Sequence, residues 1–177
     1  RNLLDEVYGV GIDYLKRYAA DQDMASAAKY KPEVKPATGK KVAIIGAGPG
    51  GLSAAWFLQQ EGHQCDIYEA APAAGGWLRY GIPQYRLPNE IIDQEVASIT
   101  ELGVNIYYNK KLGDNISYKE LKAKYNAVII AIGSQNGTPI GCEGDDAGNI
   151  FSGIDFLKNM EVTGKRYDFR GKTIAVI

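Results

Sequence analysis

Two cysteines and one histidine are the only thiols and imidazole that this 177-residue chain offers a disulfide or a metal. Cys65 and Cys142 stand far apart and form no CxxC pair, so neither a disulfide framework nor a metal site is expected. Both are expected as reduced thiols of a cytoplasmic protein, with Cys65 packed in the core. The lone histidine, His63, falls in a turn and reads as a surface residue, and no catalytic acid or base is assigned. Charge bias is missing as well. Lys and Arg number 20 against 21 Asp and Glu, for a net charge of −1, which argues against nucleic acid or an anionic membrane as principal partner. No apolar run approaches the roughly 18 residues of a membrane helix, and no signal-peptide pattern opens the chain.

What is present is an ordinary globular composition, 45% hydrophobic and 23% charged, enough for one domain with attachments. Its most informative stretch is an apolar strand running into a glycine turn. Residues 42–45 (Val-Ala-Ile-Ile) have the character of a strand buried on both faces. Gly46-Ala47-Gly48-Pro49-Gly50-Gly51 then carries the three glycines of GxGxxG, and a helical pattern begins at Leu52. Gly46 permits the tight turn, Gly48 keeps side-chain atoms away from a pyrophosphate, and Gly51 lets the helix pack closely on its strand. The helix's first amides and positive dipole end face the phosphates, and Pro49 gives up an N–H that has no intrahelical partner.

A GxGxxG motif alone is weak, and the next strand strengthens it. Gln64-Cys65-Asp66-Ile67-Tyr68 reads as a strand ending at Glu69, about 20 residues beyond the first glycine, where a ribose-binding acid falls. A carboxylate there accepts from ribose hydroxyls and repels a 2′-phosphate, and Ala70 and Ala71 supply no arginine, so the site suits FAD or NAD rather than NADP.

Residues 1–21 have helical spacing in two pieces, interrupted at Gly9 and Gly11, with Ile12, Leu15 and Ala19 on one face. Residues 29–41, with five lysines, Pro32 and Pro36, read as an extended solvated linker. After Glu69 come Gly75-Gly76 and a loop, and then a helix opened by Asn89 and Glu90 with Ile92, Val96 and Ile99 on one face, ending near Gly103. Residues 104–108 read as a third strand. Ser117-Tyr118-Lys119-Glu120 is a capping box for a short helix. Residues 127–133 (Ala-Val-Ile-Ile-Ala-Ile-Gly) read as a fourth strand with a buried signature. Strand and helix in alternation predict an α/β fold, a Rossmann-like doubly wound parallel sheet with the ligand at the strands' C-terminal ends, preceded by a helical arm.

The stretch Ala74-Gly75-Gly76-Trp77-Leu78-Arg79-Tyr80-Gly81-Ile82-Pro83-Gln84-Tyr85-Arg86-Leu87-Pro88 resembles the signature of the glutamate synthase small-subunit-like flavoproteins, a group that includes the flavin domain of dihydropyrimidine dehydrogenase. With the glycine turn, Glu69 and the Ala131-Ile132-Gly133 strand end, the resemblance covers roughly residues 12–177. It implies that an FAD domain is interrupted by an inserted NAD(P)H domain. NAD(P)H then passes a hydride to flavin N5, and electrons leave one at a time to iron–sulfur clusters or a partner subunit. By this resemblance Glu69 meets the FAD ribose, Gly75, Gly76, Trp77 and Leu78 the flavin side, Arg86 the cofactor as a cation, Leu112 the adenine end, and Ala131 to Gly133 the pyrophosphate. The rigid pairs Ile82-Pro83 and Leu87-Pro88 hold Arg86 in place on their own account, since proline restricts both its own backbone and its predecessor's.

Residues 10–21 similarly resemble the connector that follows an iron–sulfur domain in this group, although their helical pattern also suits an arm docked on its own domain. Any clusters belong upstream or on a partner. Residues 171–177 repeat the pattern of 39–45, and both ends of the chain look cut. The expected division is therefore a helical arm and linker at 1–37, an FAD-binding domain at 38–140, a connector at 141–170, and at 171–177 the first strand of a truncated NAD(P)H-binding domain, with an ordinary terminal strand of the first sheet as the other reading. The function expected is an FAD-dependent NAD(P)H oxidoreductase module. A non-catalytic FAD scaffold or relay subunit, or a dehydrogenase acting directly on an organic substrate, remain the alternatives.

Overall fold

The computed structural model describes residues 10–164 and 166–177, and the first expected helical piece lies outside them. The chain divides into two compact units at Glu33 and Val34. In the first, helix α1 runs Ile12–Ala25, with an Arg17–Asp21 ion pair one turn apart at 2.9 Å. It continues past the expected end at 21 because residues 22–25 contain no helix breaker, and it stops where Ser26 turns extended.

The second unit is built on a four-stranded parallel sheet in the order β3-β2-β1-β4, with β1 Lys41–Ile45, β2 Gln64–Tyr68, β3 Asn105–Tyr107 and β4 Ala127–Ile130. This order reverses direction between β1 and β4, the switch point at which doubly wound sheets bind ligands. Side chains alternate between two cores. Val42, Ile44, Cys65 and Ile67 face one side with Leu52 and Ala55 of α2 (Pro49–Gln60) and Ile92 and Val96 of α4 (Asn89–Thr100). Ala43, Ile45 and Tyr68 face the other with Leu121 of α5 (Tyr118–Lys124) and Tyr125. The continuous apolar run of β1 thus follows from its being covered on both faces.

Ser117 and Glu120 form the expected capping box, each side chain accepting from the other's backbone N–H, and the Ser117 hydroxyl, donating to Glu120 Oε2 at 2.8 Å, together with the Ser117 N–H holds the Glu120 carboxyl below its usual range. The base of α2 carries a feature absent from the sequence reading. Residues 35–38 of the expected linker lie against it, Lys35 N–H donating to Gln60 carbonyl at 2.8 Å and Thr38 N–H to Gly62 carbonyl at 2.9 Å. Gly62, at φ +81°, is required because a Cβ there would overlap the Pro36 carbonyl. His63 is tied to Thr38 by a 2.7 Å side-chain hydrogen bond.

Two expectations need correction. β4 is short and lies at the sheet's edge, with Ile130 58% and Ile132 54% exposed. Its apolar run carries a buried signature, but no strand among the described residues pairs with its outer side. The expected loop after Gly76 contains a single helical turn, α3 (Trp77–Tyr80), and the connector contains α6 (Gly153–Thr163), capped by Ser152 and ended by left-handed Gly164. Residues 171–177 join no ladder with the described strands, which argues against the reading of them as a terminal strand of this sheet. A strand needs a ladder partner to satisfy its backbone, and these residues find none among those described.

Candidate functional site

The candidate site gathers where β1, β2 and β4 end. Gly46 adopts φ +105°, and a Cβ on it would sit 2.5 Å from the Ala131 carbonyl oxygen, so the first glycine is needed both for its dihedral and for the close passage of the chain after β4. Its N–H donates to Tyr68 carbonyl at 2.8 Å, and Ala131 N–H donates to Ile45 carbonyl at 2.8 Å. Gly48 caps α2 without any side-chain hydrogen bond, and Pro49 occupies the first turn. The leading amides of α2 therefore have no competing side-chain acceptor and are free for an anion. At Gly48 a Cβ would touch nothing closer than 3.7 Å, so the room above the turn is open. At Gly51 it would overlap the Gly46 carbonyl oxygen and press on Ile44. The expectation that Gly51 seats the helix against its strand extends here to the turn itself. Leu52 and Ala47 are buried, whereas Pro49 and Gly50 are exposed.

Glu69 follows β2 directly. Its Oε2 accepts the Ala47 N–H at 2.6 Å and its Oε1 accepts the Ala71 N–H at 2.7 Å, which brings the carboxylate to the glycine turn. The second glycine pair also reaches that turn. Gly75 N–H donates to Ala47 carbonyl at 2.8 Å, and a Cβ on Gly76 would sit 2.8 Å from Gly48 Cα. The φ values of Gly75 (+123°) and Gly76 (+54°) are ones that side-chain-bearing residues rarely adopt. From there Trp77 Nε1 donates to Ser134 carbonyl at 2.9 Å, joining α3 to the segment after β4. Leu78 packs against the core.

Gly46 to Leu52, Glu69, Gly75 to Trp77 and Ala131 are thus brought together, while Gly133, at φ +65°, lies two residues farther along the exposed segment after β4. Two expected residues stand apart from that cluster. Arg86 is exposed in the turn closed by its own N–H to Pro83 carbonyl at 2.8 Å. Leu112 packs beside Tyr68, Leu121 and Tyr125. The backbone just before it does reach β2, since Lys110 N–H donates to Glu69 carbonyl at 2.7 Å.

Two groups escaped the sequence reading. Arg79 is only 9% exposed; its Nε donates to Ala74 carbonyl at 2.6 Å, and its guanidinium pairs with Asp93. It passes beneath the glycine pair, where a Cβ on Gly75 would meet its own Cβ at 3.1 Å. A buried polar chain also runs behind β2. Tyr125 Oη donates to Asp66 Oδ2 at 2.6 Å and shares a 2.7 Å hydrogen bond with Tyr68 Oη, while Asn105 Nδ2 donates to Asp66 Oδ1 at 2.7 Å. The polar Asp66 inside an otherwise apolar strand was the available signal. Burial, and then Asp66's charge, push the Cys65 thiol up to about 11. Burial first, and then the bonds to Asp66 and Tyr68, push the Tyr125 phenol well above its ordinary range.

A parallel sheet with this strand order, a glycine turn at its switch point and an acid at the end of the second strand define a dinucleotide-binding α/β domain. The chain belongs to the pyridine nucleotide-disulphide oxidoreductase family, whose pattern matches residues 40–177. Among its relatives, the beta subunit of an NADPH-Fe(3+) oxidoreductase from Geobacter sulfurreducens is 41% identical over 95% of this chain. The PreT subunit of an NAD-dependent dihydropyrimidine dehydrogenase from Salmonella typhimurium is 42% identical over 84% of it. The chain spans 25% of the former's length and 36% of the latter's. PreT belongs with one of the two kinds of protein that the stretch from Ala74 to Pro88 resembles. In fold, FprA, an oxidoreductase of Mycobacterium tuberculosis, superposes with a TM-score of 0.62 over 71% of this chain and 29% of its own, at 23% identity.

Proposed function

We propose that the second unit holds FAD and that the protein is an NAD(P)H oxidoreductase module, passing electrons from NAD(P)H through the flavin to iron–sulfur clusters or a partner subunit. The observation that carries this reading is the meeting of three backbone segments at one point: the Gly46–Gly51 turn, the amide-bonded Glu69, and the Gly75–Gly76 pair resting on Gly48. The positions where a Cβ would collide or intrude make a cradle for an extended diphosphate, and the uncapped amides of α2 complement its charge.

In this reading Gly46, Ala47, Gly48, Pro49, Gly50, Gly51 and Leu52 form the pyrophosphate turn, Glu69 takes the adenosine ribose, Gly75 to Leu78 flank the flavin, and Ala131 to Gly133 border the pyrophosphate. Arg86 supplies a cation and Leu112 lies at the adenine end. FAD would supply the exchange between a two-electron donor and one-electron acceptors. The chain's own residues bind and orient it, and Arg79 keeps the glycine pair in place through Ala74 and Asp93. NAD(P)H would bind in a domain beginning at residues 171–177, after a connector at 141–170, and residues 1–37 would lead from an iron–sulfur domain or partner. The activities carried in the names of the Geobacter and Salmonella relatives support this assignment, and a cytoplasmic location accords with it. The test is to extract the cofactor from intact protein and identify it by absorbance and mass. FAD is expected, and recovery of NAD alone or FMN alone would refute the reading.

A further inference from the structure

Ala47 is fully buried, so its backbone groups need partners inside the protein. Its carbonyl is met by Gly75 N–H at 2.8 Å, and its N–H is met by a side chain, the Glu69 carboxylate, at 2.6 Å. The neighbouring Gly46 N–H is held by the carbonyl of Tyr68, the residue before Glu69. Two consecutive amides of the glycine turn are therefore fastened to two consecutive residues at the end of β2, one through backbone and one through a carboxylate. The second carboxylate oxygen fixes Ala71 at 2.7 Å, on the path to Gly75. An ionised carboxylate has about four acceptor sites, so these two bonds leave one on each oxygen.

We propose that Glu69 is a positioning residue for the phosphate turn in addition to its assigned ribose contact: it sets the Ala47 peptide, and through it the junction of the Gly46–Gly51 turn with Gly75, before any cofactor arrives. This rests on the FAD reading above. A glutamine at 69 keeps the shape but has one acceptor oxygen, and its amide nitrogen presents a donor to whichever of the Ala47 and Ala71 N–H groups the oxygen does not serve. An aspartate keeps both oxygens and the charge on a stem one carbon shorter, which forfeits the reach to Ala47. Both substitutions therefore loosen the turn even where no ribose hydroxyl is involved.

The test compares wild type, Glu69→Gln and Glu69→Asp in the full chain with two ligands, FAD and an FAD analogue whose adenosine lacks both the 2′- and 3′-hydroxyls, each titrated by flavin fluorescence. Amide exchange at Ala47 is also followed in cofactor-free protein. The expected result is that the analogue binds both variants on the order of tenfold more weakly than it binds wild type, with both variants folded at the assay temperature and melting a few degrees lower, as the loss of one buried bond requires. Exchange at Ala47 should speed up by a similar factor before any ligand is added. Equal affinity of wild type and variants for the analogue, or unchanged exchange at Ala47, would overturn the proposal and leave Glu69 as a ribose ligand only. Wild type that binds no FAD, with Ala47 exchange still dependent on Glu69, would instead refute the cofactor reading and preserve the positioning role.

Discussion

Replacing Tyr125 with phenylalanine removes one oxygen atom from the middle of the chain Asp66–Tyr125–Tyr68 and fills the same space. Asp66 is 8% exposed and Tyr125 6%, and no cation pairs with Asp66 among the described residues. The Tyr125 hydroxyl is the donor that satisfies one oxygen of that carboxyl group, with Asn105 on the other. A hydrogen bond to a charged group contributes about 1.5 to 3 kcal/mol, and the orphaned Tyr68 hydroxyl adds to the loss. We expect Tyr125→Phe to destabilise the domain by about 2 to 3 kcal/mol, a fall in melting temperature of about 4 to 12 °C for a chain of this size. Urea titration followed by circular dichroism measures it. Tyr68→Phe, which removes only the outer hydroxyl, should cost about 0.5 to 1.5 kcal/mol. Asp66→Asn and Tyr125→Phe should combine non-additively, by about 1 kcal/mol or more, because they share one bond. The pH dependence has a definite sign. The folded protein holds the Tyr125 proton above the pH, about 10, at which an unfolded tyrosine loses it. The stability from this group is thus complete below about pH 10 and declines as pH rises further, and Tyr125→Phe abolishes its share of the slope. A Tyr125→Phe protein within about 0.5 kcal/mol of wild type, or strict additivity with Asp66→Asn, would refute the reasoning.

Gly51→Ala forces a Cβ into the Gly46 carbonyl and should cost about 2 kcal/mol or more, with loss of bound flavin, whereas Gly50→Ala, whose Cβ would meet only Ala131 Cβ at 4.0 Å, should melt like wild type. Cys142 is exposed and should react with a thiol reagent at neutral pH, while buried Cys65 should react only on unfolding. The Cys65 thiol is raised from 9.0 to about 11, so its contribution to stability is full below about pH 9 and is lost as pH approaches 11, a decline that Cys65→Ala should remove from a pH series of urea melts.

Elements written in local code were legible. The limits of β2 match the run from Gln64 to Tyr68, and α2 begins at the proline of its glycine turn, because a turn, an apolar alternation and a cap each act within a few residues. The Ser117–Glu120 box is the same kind of signal. Features decided by distant partners were not legible. Tyr125 reaches Asp66 across 59 positions of sequence, and nothing near either residue announces the other. Ile130 and Ile132 read as buried because apolar residues look alike whether or not a neighbour covers them. Arg79 sits within the quoted motif, but only the fold shows that it lies under the glycine pair while Arg86 is exposed. Helix α6 did carry a local signal, Ser152 three residues before Asp155 and Gly164 beyond the last turn, which the sequence reading passed over.

The Trp77 indole gives the molecule an optical property. The chain has two tryptophans. Trp56 lies on α2, and Trp77 is fastened by its ring nitrogen to the Ser134 carbonyl while its ring covers Gly81. Emission from Trp77 depends on that hydrogen bond and on how much water reaches the ring. In a Trp56→Phe protein excited where tyrosine does not absorb, the remaining fluorescence would come from the one indole that spans α3 and the segment after β4, so its colour would register whether those two parts stay joined, without a dye or a label.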